Sequence, residues 1–275
     1  MHKTFKLLFI CTLLLISCNP SKSSSPFAHI TPVNAHAHND YVQKKPLWGA
    51  LENGFMSIEV DVHLRAGRLC VAHDSIDVDT TKTLQSMYLQ PIIDVLGNYR
   101  GPIYKNKRPV ILLIDIKTGA DSTFLQLQSV LKKYQDLFYR IEEDSTIFGS
   151  FRAIISGNRS QGILETTFFR IAAYDGRFAD LDSTIPADRI QLISDRWISH
   201  FTWRGEGTMP VAEKEKLNEI IEKAHAAGRM VRFWGTDVLE SESQIAIWTE
   251  LRRAGVDLIN TDKQEELREF LLSFR

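Results

Sequence analysis

Pro109-Val110-Ile111-Leu112-Leu113-Ile114-Asp115-Ile116-Lys117 runs almost continuously apolar and then turns polar. A strand with one face in water alternates apolar and polar residues. A strand without alternation is covered on both faces, which marks a parallel sheet flanked by helices. Outward from this stretch, short runs rich in apolar residues predict strands at Ile30–His36, Met56–Val62, Leu69–Ala72, Arg152–Ile155, Phe169–Ala173, Ile190–Ile193, Met230–Phe233 and Asp257–Ile259. Helices are predicted between them. Leu47–Asn53 ends at Gly54, and Phe124–Phe138 carries Leu125, Leu127, Val130, Leu131 and Tyr134 at helical spacing. Val211–Ala227 and Glu242–Ala254 are followed by Gly228 and Gly255 at the helix-stop position, and Glu265–Leu272 closes the chain. Alternation of this kind gives a parallel sheet. About eight repeats in about 245 residues favour a closed (β/α)8 TIM barrel, an α/β fold in a single domain over residues 30–275.

Composition agrees. The 275 residues are 44% hydrophobic and 24% charged, which is globular and excludes a disordered or collagen-like chain. The formal net charge of -1 argues against nucleic acid held through bulk positive charge, so no nucleic-acid partner is expected, and the chain is expected to be a monomer. The glycine-rich nucleotide-binding patterns are absent.

The amino terminus reads as an address. Lys3 and Lys6 precede an apolar run from Leu7 to Ile16, too short for the roughly 20 residues of a spanning helix. The run ends Leu15-Ile16-Ser17-Cys18, and a Ser/Pro-rich stretch follows. Leu-Ile-Ser-Cys resembles the lipobox of bacterial lipoproteins. That resemblance implies a signal peptide over residues 1–17, a lipidated Cys18, a tether over 18–29, and export to a bacterial membrane that holds the protein by its lipid. Cys70, in Arg68-Leu69-Cys70-Val71, is then left alone and reads as a small core residue.

Polar residues collect where strands end. Asn34-Ala35-His36-Ala37-His38-Asn39-Asp40-Tyr41 closes the first strand, Glu59-Val60-Asp61 the second, His73-Asp74 a short strand, and Asp115-Ile116-Lys117 the long buried one. The carboxyl ends of barrel strands form the catalytic face. Strand residues two apart share a face, so Glu59 pairs with Asp61 and Asp115 with Lys117. Clustered carboxylates resist ionisation, and a divalent cation relieves them. Hard oxygen donors suit one Ca²⁺ or Mg²⁺. Any one of these residues alone is more simply structural; their joint placement is the signal. His63 has the parity to join Glu59 and Asp61 but reads as already in the loop. His200 and His225 show no such partners.

These motifs resemble the PLC-like phosphodiesterase superfamily, which includes glycerophosphodiester phosphodiesterases, phospholipases C and sphingomyelinase-D-type enzymes. The pattern His-x-His-Asn-Asp-Tyr at His36–Tyr41 is similar to an uncharacterised branch that includes the fungal altered-inheritance-of-mitochondria proteins. The resemblance implies a metal-dependent phosphodiesterase acting on a small-molecule or lipid phosphodiester. It makes His38 and His73 the acid/base pair, with His36 either the working histidine or the neighbour that orients it. It makes Glu59, Asp61, Asp115 and Asn39 the metal ligands and Lys117 a phosphate-binding cation. Gly255-Val256-Asp257-Leu258-Ile259-Asn260-Thr261-Asp262 resembles the last strand of glycerophosphodiester phosphodiesterases, and Phe233-Trp234 the strand before it. Arg232 and Trp234, two apart at the end of the seventh strand, either line the substrate pocket or pack the barrel. The long aromatic loop Arg196–Gly205 either covers substrate or packs against the barrel. Two other readings remain. His36-Ala37-His38 also fits an amidohydrolase-like metal site, although Asp175 and Asp195 stand where further histidines belong. A non-catalytic lipid-anchored phosphate-ester-binding protein is the third.

Overall fold

A computed structural model of the chain describes residues 24–142, 145–159, 171–238 and 240–274. Eight parallel strands close into a ring: β1 (Val33–Ala37), β2 (Phe55–Arg65), β4 (Val110–Ile116), β7 (Phe151–Gly157), β8 (Ala172–Gly176), β9 (Ile190–Arg196), β10 (Met230–Trp234) and β11 (Leu258–Thr261), which pairs back to β1. The expected closed α/β barrel is the fold. β3 (Arg68–Val71) runs antiparallel to β2 and stands outside the ring. β5 (Arg140–Glu142) and β6 (Ser145–Ile147) pair antiparallel in a separate two-stranded sheet.

The β4 stretch behaves as its sequence requires. Val110, Leu112 and Ile114 are fully buried, and so is Leu113 on the opposite face. Each such side chain contributes roughly 1.5–3 kcal/mol of burial free energy. Register with β2 pairs Leu113 with Glu59 and Asp115 with Asp61. The apolar layer of the barrel therefore gives way to a carboxylate layer within two residues.

Helices α1 (Trp48–Glu52), α2 (Gln90–Leu96), α3 (Ala120–Lys133), α5 (Val211–Ala226), α6 (Ser241–Ala254) and α7 (Gln264–Ser273) accompany the strands, with one helical turn, α4 (Trp197–His200), after β9. α3 begins four residues earlier than its apolar spacing suggested and stops before Phe138. Leu137 leaves it in a 3-10 turn, and Phe138 bridges to Phe151 as extended chain. Those two apolar residues belong to the core beside β7 rather than to the helix. The expected strand Phe169–Ala173 begins at Ala172, and its residues 169 and 170 lie outside the described set.

β2 is longer than expected because it continues beyond the ring to pair with β3. The turn between them has φ values of 46° at Ala66 and 74° at Gly67, as a two-residue hairpin requires. This hairpin returns the chain to the barrel mouth at His73. It also keeps His63 in the strand, buried, where the sequence suggested a loop.

Candidate active site

Three carboxylates meet at the carboxyl-end face. Glu59, Asp61 and Asp115 each bring an oxygen within 4.8 Å of the others. Gly157, beside them on β7, has φ 69°, and a Cβ there would come to 2.1 Å from Asp115 Oδ1. Only glycine leaves that carboxylate room.

Lys117 Nζ lies 3.1 Å from Asp61 Oδ2 and 3.3 Å from Asp115 Oδ1. Thr118 Oγ1 accepts the Leu64 N–H, and Lys117 N–H donates to Val62 C=O, which fixes this segment on β2. Burial opposes the ammonium, but Asp115 and Asp61 outweigh it and raise its pKa. Burial pushes Asp115 up to about 6, against the pull of Lys117 and with the charges of Asp61 and Glu59 behind it. Burial and Glu59 raise Asp61 as well. Glu59 goes the other way. Burial favours its protonation, but Arg232 and His36 outweigh that and hold it well below the carboxylate range.

Beneath Glu59 lies a closed ion pair. Arg232 Nη1 donates to Glu59 Oε2 at 2.9 Å and to Asn260 Oδ1 at 3.2 Å. His36 Nε2 lies 2.6 Å from the same Glu59 oxygen, and His36 Nδ1 lies 2.7 Å from Ser57 Oγ. Arg232 Nη1 also contacts His36 Nε2, so that nitrogen sits between a guanidinium donor and a carboxylate acceptor while Nδ1 is held by the Ser57 hydroxyl. Burial and Arg232 lower the His36 pKa to about 3. The expectation of His36 as a working acid or base is corrected: it is fully buried, neutral, and has both nitrogens engaged. The same engagement leaves it no lone pair for the His-x-His metal site of an amidohydrolase-like barrel. Of the two readings of Arg232, its burial fits packing within the barrel. It sits beneath Glu59 with 3% exposure rather than along an open pocket wall. Trp234, two residues on, is half-buried at the mouth under the Arg196 guanidinium, 5.5 Å from its ring centroid.

The other two histidines stand at the rim. His38 Nδ1 lies 2.8 Å from Asp262 Oδ1, and its backbone N–H donates to Thr261 C=O. Burial lowers the His38 pKa, but the Asp262 hydrogen bond and the charge of Glu59 raise it further, and the net shift is upward. His73 Nδ1 lies 3.0 Å from Asp61 Oδ2. Among the described residues neither Nε2 has a hydrogen-bond partner. His63 Nε2 lies 3.2 Å from the His73 carbonyl and supports that loop.

Asn39 sits in the left-handed region at φ 45°. The Tyr41 hydroxyl stands 2.9 Å from Asn39 Oδ1 and 2.7 Å from Asp61 Oδ2, one proton between two acceptors. Asp40 turns inward instead. Its buried carboxylate accepts from Leu47 N–H, Tyr88 O–H and Gln264 Nε2 and anchors the loop that carries His38 and Asn39. Asp262 was missed as a site residue, although the sequence offered a signal: an aspartate closing the strand that pairs with β1. Asp175 was missed as well. It lies buried on β8, accepting from Ser156, Ser194 and Arg177. His200 and His225 do have carboxylate neighbours, Asp195 at 3.2 Å from the end of the preceding strand and Asp257 at 2.8 Å from 32 residues away.

The carboxylate set fits a divalent cation. Asp61 Oδ1 is buried and accepts no hydrogen bond, Asp115 Oδ1 is buried beside the Lys117 ammonium at 3.3 Å, and hard carboxylate oxygens are the donors such ions take.

Comparison with known proteins gives the family. The model of the AIM6-like phosphodiesterase domain matches residues 25–175, more than half the chain. Among curated proteins, an altered inheritance of mitochondria protein 6 homolog of Arthroderma benhamiae is 24% identical, covering 85% of this chain and 82% of its own length. Altered inheritance of mitochondria protein 6 of Saccharomyces cerevisiae is 23% identical, covering 85% of this chain and 69% of its own. Among solved structures, the chain is similar to a phosphatidylinositol-specific phospholipase C of Listeria monocytogenes at TM-score 0.48 and 11% identity, covering 92% of this chain and 96% of that one. These relatives correct the expected localisation. The curated matches are yeast and fungal proteins, eukaryotic rather than bacterial membrane lipoproteins. Cys18 and the segment behind that expectation lie outside the described residues. The chain belongs to the AIM6-like phosphodiesterase domain family.

Proposed function

We propose that this AIM6-like phosphodiesterase-domain protein is a divalent-cation-dependent phosphodiesterase in which His38 and His73 move the protons. The observation that carries the reading is the pair of histidines, each tied at Nδ1 to a carboxylate, with Nε2 left free at the rim of a carboxylate triad. An imidazole held this way has its tautomer and orientation set and presents one nitrogen to a substrate.

Cleaving a phosphodiester needs a base for the nucleophile and an acid for the departing alkoxide. The upward shift of the His38 pKa favours its protonated form and suits it to be the acid that donates to the leaving oxygen. His73 then takes the proton of the attacking hydroxyl, with Asp61 stabilising the imidazolium that forms. Lys117, freed from Asp61 and Asp115 once a cation relieves those carboxylates, would turn its positive charge toward the phosphoryl oxygens. Glu59, Asp61 and Asp115 would hold a Mg²⁺ or Ca²⁺ ion, which when bound neutralises charge on the same oxygens. Arg232 and His36 keep Glu59 ionised and aimed, so the ligand is ready before the cation arrives.

Purified protein is expected to hydrolyse a simple phosphodiester with added Mg²⁺ or Ca²⁺, and to lose that activity in His38→Ala and Glu59→Ala. Full activity in both variants would refute the assignment.

A further inference from the structure

The mouth of the barrel is divided by charge. Carboxylates, histidines and Lys117 come from β1, β2, β4, β11 and their loops. The three neighbouring strands opposite, β7, β8 and β9, each deliver an arginine at or just beyond the carboxyl end: Arg159, Arg177 and Arg196. Arg159 and Arg177 converge, because both donate from Nη1 to the same backbone oxygen, that of Asp175. Both are partly exposed. Their proximity is unfavourable without a counter-ion. Burial, then the charge of Arg177, lowers the Arg159 pKa.

Among the described residues, the carboxylates nearby are shared with other partners. Asp175 Oδ2 accepts from Arg177 at 3.0 Å, but it also takes two serine hydroxyls and lies 4.0 Å from Arg232. Asp180 lies 3.9 Å from Arg159, and its carboxylate is turned to the Arg177 backbone N–H. Asp195 is beside His200. Arg196 lies exposed over Trp234, with no carboxylate ion pair among the described residues. Ion pairs at 3.0, 4.0 and 2.9 Å link Arg177, Asp175, Arg232 and Glu59 in turn, and the arginines and the triad lie at the same carboxyl-end side of the barrel.

We infer that Arg159 and Arg177, with Arg196 outside them, form a second anion subsite, and that the substrate is a phosphodiester bearing an additional phosphomonoester. This rests on the phosphodiesterase reading of the triad. Guanidinium groups hold phosphate oxygens through paired, charge-assisted hydrogen bonds, and two of them side by side suit a dianion better than a neutral hydroxyl. The reacting diester would lie at Lys117 and the triad while the monoester rests on the arginines.

The test uses the full chain with Mg²⁺ or Ca²⁺ and two substrates, glycerophosphoglycerol and glycerophosphoglycerol carrying a terminal phosphate. The readout is the ratio of their kcat/KM values. The wild-type ratio is expected to favour the phosphorylated diester by about tenfold or more, the worth of one charge-assisted contact. Arg159→Gln/Arg177→Gln should bring the ratio close to one, and Arg196→Gln should lower it partway. A wild-type ratio near one, or a ratio unchanged in both variants, overturns the subsite. Equal preference for a diester carrying a carboxylate instead overturns the phosphomonoester assignment. Failure to turn over either diester sinks the catalytic reading, and the subsite is then judged by titration with inorganic phosphate. Binding weakened about tenfold or more by Arg177→Gln but not by His38→Ala supports it, whereas equal binding overturns it.

Discussion

The state of Asp115 links cation binding to pH in a way that can be worked through. Its carboxyl is displaced from 3.8 to about 6, chiefly by burial. A folded-state pKa raised above the unfolded value means that the cation-free protein loses stability as pH rises from about 4 through about 6, by about 3 kcal/mol at pH 7 if Asp115 acts alone. A bound cation reverses this, because it needs the ionised form. With a pKa of about 6, the ionised fraction is about nine-tenths at pH 7, half at pH 6 and one-tenth at pH 5, so apparent affinity should fall about tenfold between pH 7 and pH 5. Asp61 is raised in the same direction and steepens the acid side. At a cation concentration of about 100 Kd measured at pH 7, binding stabilises by about 2.7 kcal/mol, and at pH 5 the same concentration gives roughly half of that. For a domain of this size the thermal midpoint should rise about 5–10 °C at pH 7 and about half as much at pH 5. Calorimetric titration with Mg²⁺ and Ca²⁺ at both pH values, alongside thermal melts, measures both quantities. Asp115→Asn should bind more weakly and with a flatter pH profile. Equal affinity at pH 5 and pH 7 in the wild type would refute the assignment of Asp115 as a ligand with a raised pKa.

Other expectations follow from individual contacts. Asp262→Asn removes the carboxylate that raises His38, so the pH limb governed by His38 should move to lower pH. Because Asp262 is half exposed and water can share its role, the accompanying loss in kcat/KM should be roughly 10- to 100-fold, below the roughly 100- to 10,000-fold that a general acid itself contributes. Gly157→Ala puts a methyl group against Asp115 at positive φ, and should destabilise by about 2–4 kcal/mol in urea unfolding while weakening cation binding. Asp40→Ala leaves Leu47 N–H and Tyr88 O–H without their buried acceptor; a loss of about 2–4 kcal/mol is expected by the same measurement.

The barrel and the triad were legible for one reason: they depend on period. The unbroken run of β4 announced burial on both faces, and the spacing of two in Glu59-Val60-Asp61 placed both carboxylates inward while Val60 joined the core. What escaped was whatever depends on which strands become neighbours. His38 and Asp262 are 224 residues apart and meet because the ring closes between β1 and β11. Arg232 looked like a pocket residue from parity alone. Parity gave its face correctly but not its depth, and at that depth Glu59 needs a counter-ion. His36 shows the same limit. His36 lies within β1 and His38 just beyond its end, and those two residues of chain separate a buried neutral prop from a rim imidazole with a free nitrogen. His63 was assigned to a loop because the β2–β3 hairpin, which prolongs the strand, is set by turn geometry at Ala66-Gly67 rather than by hydrophobic alternation.

Charge balance then ties the cation to substrate order. The ionised triad places three negative charges at the mouth, and Arg232 and Lys117 return two positive ones. The remainder is one negative charge, which repels a phosphodiester anion. With a divalent cation the same centre would carry one net positive charge, the complement of the single negative charge of a diester. Arg232 cannot supply that charge by itself, because it is buried and committed to Glu59 and Asn260. Lys117 is already engaged with Asp61 and Asp115, and would turn toward a phosphoryl oxygen only once another cation relieves those carboxylates. Cation binding should therefore precede productive substrate binding. The kinetic consequence is that raising the cation concentration lowers the apparent KM of the diester, and in Lys117→Met it should do so more weakly. An apparent KM independent of cation concentration below saturation would break the link between the triad and the diester.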